Sequence, residues 1–241
     1  MNVVHEALIA AAVLAAAAVP EALAQAADNH AAYAVTYFEV APSAETEAAN
    51  LLRRAAAASG EESGKLRYDI LQHIERRSQF AILEAWSDAK ALEAHGATAA
   101  MKQFRDQLGP LRVGFYDQRL ETGIDVVAVA APALPAPAGA SLATKDAIHV
   151  ITHVDVTGQF KDEAIVMMKK LAADSRREPG AARFEVWQQN NRLNHFTVVE
   201  VWNDQAALDA HNLAAGTREF REKLGGMMGA LYDDRRYRTL K

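Results

Sequence analysis

The sequence predicts an α+β fold: two βαββαβ domains that pack through their sheets within one chain. Three observations predict it. The chain repeats itself at a single offset, each copy alternates strands and helices in the same order, and the hairpin strands are apolar on both faces. Glu84-Ala85-Trp86-Ser87-Asp88 returns as Glu200-Val201-Trp202-Asn203-Asp204, an offset of 116 residues. From Gly64 to Arg119 that offset gives 20 identities in 56 ungapped positions, which marks a tandem duplication. Between the copies, Val129 to Ala143 holds Pro132, Pro135, Pro137 and Gly139 among alanines, the composition of a semi-extended linker. The expected organisation is a leader at 1–26, domain one at 32–129, a linker at 130–145 and domain two at 146–241.

Taken in chain order, copy two opens with Ile148 to Val156, β-branched and alternating, which reads as a strand. Phe160 to Arg177 places Ala164, Met167, Met168 and Leu171 at helical spacing, and Pro179-Gly180 ends that helix. Arg183 to Gln189 and Phe196 to Trp202 flank the turn-forming Asn190, Asn191 and Asn194, hence a hairpin. Asp204 is the N-cap of a second helix running to Leu224, closed by Gly225-Gly226. Ala230 to Tyr237 forms the last strand. Copy one repeats the order at Tyr33–Val40, Ala44–Ala58, Leu66–His73, Phe80–Trp86, Asp88–Leu108 and Gly114–Leu120. This βαββαβ order is the ferredoxin-like pattern. In the hairpin, Phe196, Val198 and Trp202 point one way and Thr197, Val199 and Val201 the other. Helices cover one face, and the sister sheet is the expected cover for the other.

Composition narrows the chemistry. Twenty-six basic against 31 acidic residues give a net charge of −5, a balance that argues against a nucleic-acid binder, which would normally show a basic face. The chain has no cysteine, which removes disulfides, thiolate metal sites and thiol nucleophiles. No phosphate-binding glycine loop and no nucleophile elbow is present. Ala7 to Val19 followed by Pro20 and Ala24-Gln25-Ala26 reads as an export signal, giving a periplasmic or secreted protein. The region before it lacks Lys and Arg, and a cytosolic protein with an Ala-rich helix is the alternative. Thirteen residues of helix cover about 20 Å, too little for a stable membrane span.

The string Phe196-x-x-x-Glu200-x-Trp202-x-Asp204-x-x-Ala207-Leu208-x-x-His211, followed by Phe220, resembles the antibiotic biosynthesis monooxygenase family, and Phe80 through His95 to Phe104 repeats it. The resemblance implies a dimeric α+β barrel, here formed as an internal pseudo-dimer, with a further homodimer left open. It implies O₂-dependent oxidation of a quinol-like or polycyclic phenolic small molecule, without metal or flavin cofactor. Haem-degrading relatives carry a Trp where His95 and His211 stand and a His ten residues later. Here those later positions are Arg105 and Arg221, a departure that argues against haem.

Candidate site residues follow from periodicity. Glu84 and Trp86, like Glu200 and Trp202, share a strand face. A carboxyl buried beside an indole would have a raised pKa and could take a phenolic proton; equally, each Glu could pair with Arg67 or Arg183 while Trp serves as core. His95 and His211 lie on the inward stripe of the second helix, as base or as helix anchor. His149 and His153 are four strand residues apart, about 13 Å, too far to share one metal. His153 remains a candidate base, with Tyr37 in the matching slot of copy one. Tyr116 and Tyr232 could orient a substrate oxygen, and Trp202 with Phe220, or Trp86 with Phe104 in copy one, could wall its pocket. His73 and His195, at hairpin ends, are expected to be solvated. Non-catalytic binding of a hydrophobic small molecule and isomerase chemistry are the alternatives to oxygenation.

Overall fold

The computed structural model describes residues 31–126 and 144–240; the expected leader and all but the last residues of the linker lie outside them. Copy one runs β1 (Ala32–Glu39), α1 (Glu45–Ala58), β2 (Lys65–His73), β3 (Gln79–Trp86), α2 (Ala89–Ala97), α3 (Ala99–Leu108) and β4 (Asp117–Asp125). Copy two runs β5 (Ile148–Asp155), α4 (Lys161–Ser175), β6 (Ala181–Gln189), β7 (His195–Trp202), α5 (Gln205–Leu213), α6 (Ala215–Gly225) and β8 (Asp233–Thr239).

The eight strands close into one antiparallel barrel in the order β1-β3-β2-β8-β5-β7-β6-β4. Two seams join the copies. β4 pairs with β6, Glu121 opposite Gln189, and β2 pairs with β8, His73 opposite Tyr237. These seams explain why the last strands sit later than their local pattern predicts: β4 reaches Asp125 because β6 supplies partners beyond Leu120. Closure removes exposed sheet edges.

Strand alternation then sorts the core into three parts. Phe38, Phe80, Ile82 and Phe104 pack under the copy-one helices, and Val154, Phe196, Val198 and Trp202 under the copy-two helices. The inward residues of both copies, Tyr33, Val35 and Leu83 with Ile151, Trp187 and Val199, fill the barrel. The predicted sheet-to-sheet packing is therefore present, as a shared interior.

The single second helix expected in each copy is two helices. Thr98 (ψ 152°) and Ala214 (ψ 140°) are extended residues between helical neighbours, so α2 and α5 end two residues after His95 and His211. Apolar spacing continues through both breaks, which is why periodicity alone reads across them. Among the described residues, no helix is long and apolar enough to cross a membrane.

Candidate functional site

Each copy builds the same four-residue arrangement between sheet and helices. In copy one, Asp88 caps α2 by accepting from the Ala91 N–H at 2.8 Å, which fixes the helix start against β3. Leu92 and His95 are the buried residues of that helix. The His95 ring stacks on Trp86 at 4.5 Å between centroids and meets the edge of Tyr68 at 5.4 Å. Trp86 Nε1 donates to Glu84 Oε2 at 3.1 Å, and the same oxygen lies 3.9 Å from His95 Nε2. In copy two, His211 stacks on Trp202 at 4.5 Å, Trp202 donates to Glu200 at 2.8 Å, and His211 Nε2 stands 3.6 Å from Glu200.

The fourth member is absent from the sequence reading. Glu62 Oε2 lies 2.9 Å from His95 Nδ1, and Glu178 Oε2 lies 3.0 Å from His211 Nδ1. Both sit in the loop between the first helix and second strand of their copy. Gly64 and Gly180 turn that loop at φ +81° and +84°, and Gly64 accepts from the Ser87 N–H at 2.7 Å. A Cβ on Gly64 would come within 2.6 Å of Ser87 Oγ and 2.7 Å of Ala91 Cβ. The glycine thus lets the loop lie against the start of α2, within reach of its histidine. The repeat carries the missed signal: two residues before Gly64, Glu62 matches Glu178 at the same offset of 116.

Burial sets the electrostatics. It raises Glu84 and Glu200 to about 7, against the lowering effect of the tryptophan N–H. It lowers His95, against the pull of Glu62, and lowers His211 to about 4 with help from Arg221. The loop carboxylate accepts a hydrogen bond from Nδ1–H, so Nε2 is the free acceptor. In copy one, His95 Nε2 and Glu84 Oε1 are both buried without a hydrogen-bond partner. A neutral imidazole with a free Nε2, braced by a carboxylate at Nδ1, can accept a proton from an incoming hydroxyl.

The copies differ beside the histidine. Next to His95 is a cavity of about 360 Å³ whose walls include Leu92, Gly96, Met101, Arg105, Leu120 and, from the other copy, Asn190. In copy two, Asn212 replaces Gly96 and takes Arg221 at 2.6 Å. Thr217 replaces Met101 and puts its hydroxyl 3.3 Å from His211 Nδ1.

Several expected roles change. Arg67 and Arg183 do not pair with Glu84 or Glu200. Arg67 lies opposite Ala85, on the barrel side of its strand, and forms a two-pronged bond to Glu185 at 3.1 and 2.7 Å. Arg183 bonds Asp69 at 2.8 Å. His153 does not join the Glu200 site: it faces the barrel interior and meets Tyr37 Oη at 2.8 Å. Phe104 stands edge-on to Phe38 and borders a groove between α1 and α3, and Phe220 the equivalent groove between α4 and α6, not the His95 cavity. Tyr116 stacks on Phe38 at 6.3 Å, and Tyr232 lies under Arg221 at 5.8 Å. His73 and His195 are buried at 6% and 7% exposure, because the hairpin ends tuck into the barrel mouth. His73 Nδ1 accepts from the Glu75 and Arg76 N–H groups, and His195 Nε2 lies 3.1 Å from Arg119.

Comparison with known proteins agrees with this fold. The family model described as "Antibiotic biosynthesis monooxygenase" matches twice, at residues 31–107 and 147–223. The "Uncharacterized protein sll1783" of Synechocystis is 33% identical over 78 residues, covering 32% of this chain and 53% of that protein. The chain thus spans about half the length of that relative. A crystal structure from Fusobacterium nucleatum described as "Putative monooxygenase" superposes with a TM-score of 0.75 at 17% identity, covering 89% of this chain and 94% of that one. An "anthrone oxidase-like protein" superposes at 0.65 and 14% identity over 88% of this chain and 92% of its own. At these identities the structures share the fold.

Proposed function

The chain belongs to the antibiotic biosynthesis monooxygenase family, and from that premise we propose that it oxidises a quinol-like or polycyclic phenolic small molecule with O₂ in the cavity beside His95. One observation carries the choice of site: His95, whose Nε2 is buried and unpartnered, lines a cavity of about 360 Å³, within the size range of small-molecule pockets. The substrate hydroxyl gives its proton to Nε2, and Glu62 at Nδ1 holds the ring in the accepting tautomer and steadies the imidazolium. The electron-rich anion then reduces O₂ without a bound cofactor. One oxygen atom enters the product and the other leaves as water. Arg105 offers positive charge for the developing oxyanion, and the apolar wall of Leu92 and Met101 excludes bulk water. The His211 site, where Asn212 bonds Arg221 and the Thr217 hydroxyl faces the ring, serves as the structural counterpart.

Oxygen uptake by the purified chain over a panel of quinols and anthrones tests this reading. The expected result is uptake that falls 100-fold or more in His95→Gln, in line with the loss of a general base of about 10²–10⁴, and that keeps most of its rate in His211→Gln. No uptake across the panel overturns it; turnover without O₂ assigns the cavity to an isomerase, and saturable binding without turnover to a binding protein. Export of the chain to the periplasm or medium is part of the same proposal, and the N-terminal sequence of the mature protein tests it.

A further inference from the structure

The barrel interior carries a second acid–base arrangement, on the opposite side of the sheet from the histidine quartets. Tyr37 Oη stands 2.8 Å from His153 Nε2. His153 Nδ1 lies 3.3 Å from Thr197 Oγ1, and the Thr197 hydroxyl donates to Glu121 Oε1 at 2.7 Å. All four side chains are buried. They come from β1, β5, β7 and β4, two strands from each copy.

Valence places the protons. Thr197 has one proton and gives it to the Glu121 carboxylate, so toward His153 it accepts. His153 Nδ1 therefore carries the imidazole proton. Burial, Arg119, His195 and Arg235 hold that ring neutral, so Nε2 is bare and accepts from the Tyr37 hydroxyl. Every donor points one way, from Tyr37 to Glu121. The terminus suits a proton acceptor: burial raises Glu121 to about 7, against Thr197 and Arg119 and with Asp117 adding to the rise, and Glu121 Oε2 has no partner.

The other end opens to a cavity. Tyr37 lines a space of about 190 Å³ together with Phe115, Asp117, Arg235 and Tyr237, smaller than common drug-sized pockets and suited to one ring. The guanidinium groups of Arg235 and Arg119 lie 4.9 and 5.7 Å from the Tyr37 ring centre. Each is held by its own strand aspartate, Asp233 and Asp117, so the charges are fixed in place. Arg119 also touches His195, and His73 packs on Tyr237.

We propose that this cavity is a second binding site, for a small single-ring phenol or enol whose hydroxyl proton leaves through Tyr37, His153 and Thr197 to Glu121. The ligand proton moves to Tyr37 Oη, the Tyr37 proton to His153 Nε2, the Nδ1 proton to Thr197, and the Thr197 proton to the Glu121 carboxylate. No electron changes hands. A ligand anion beside Arg235 and a neutral Glu121 replace a neutral ligand and a carboxylate.

3-Nitrophenol, a weaker acid than its 4-isomer and mostly neutral in solution at pH 7, tests this in the full-length protein, because only its anion absorbs appreciably in the visible. At neutral pH the wild-type chain should bind the neutral probe and show the anion band, while calorimetry in two buffers finds little net proton release. Glu121→Gln and the isosteric Thr197→Val should either lose most of the band or keep it with release of a full proton to buffer. The titrations are repeated in His95→Gln, where the proposed oxygenation site cannot take the probe's proton; the band should persist there with little net proton release, which separates this site from that one. Absence of saturable binding, absence of the band in wild type, or a Glu121→Gln variant that keeps the band with no more proton release than wild type overturns the proposal. Circular dichroism matching wild type qualifies each variant.

Discussion

At the scale of residues, the quartet around each histidine couples two opposed titrations. Glu200 is raised from 4.5 to about 7 in the fold, so folding favours its protonated form. Its contribution to stability is most favourable below pH 4.5, declines as pH rises to 7, and is a full penalty above that. The penalty amounts to about 3 kcal/mol for a shift of that size. Glu200→Gln keeps an oxygen for the Trp202 N–H and removes the charge. The variant should therefore be more stable than wild type at pH 8, by about 2–3 kcal/mol, and no more stable at pH 4; urea midpoints at the two pH values check it. Glu84, Trp86 and His95 were legible because periods of two on a strand and 3.6 on a helix place them on one face. Glu62 was not, since a loop residue has no period and only the glycine turn at Gly64 brings it to the ring. Nor was the direction of Arg67: the strand alternation that points Glu84 at the helices points Arg67 into the barrel, toward a copy that local pattern does not position.

Among elements, the break between α2 and α3 is the feature that periodicity concealed. Thr98 serves both helices, donating to the His95 carbonyl at 2.9 Å and accepting from the Met101 N–H at 3.2 Å. Ala214 has the same extended conformation with no side chain to cap α6. Ala214→Thr should supply the missing cap and add about 1 kcal/mol, a rise in Tm of about 2–4 °C for a chain of this size. Thr98→Ala should lose about as much, and differential scanning calorimetry reads both. Because His95 occupies the last turn of α2, the Thr98 variant should also loosen the histidine and raise KM more than it lowers stability. Helix and strand existence were readable from sequence; their ends were not, since β4 and β8 take their final partners from the opposite copy.

For the whole molecule, the two seams and the shared interior make the copies one folding unit. Arg67–Glu185 and Arg183–Asp69 cross between copies inside the barrel, at side-chain exposures of 12% and 1%, and 14% and 26%. Cutting the chain at a protease site placed within 130–143 should leave the halves associated through gel filtration and melting in one transition. Separation of the halves at moderate salt would show that the seams alone do not hold the barrel.

The Tyr37–His153 contact bears on how such a barrel came to be one chain. The two residues occupy the same position of the two copies, so the approximate twofold axis passes between them. A homodimer is obliged to put identical side chains at its axis, tyrosine on tyrosine or histidine on histidine. Off-axis pairs such as Arg67–Glu185 escape that rule, since a symmetric dimer can hold one arginine–carboxylate pair on each side. Fusion of two copies into one polypeptide lifts the rule at the axis itself. A donor there can face an unlike acceptor, and a structure inherited as symmetric acquires a sense of direction along its own centre.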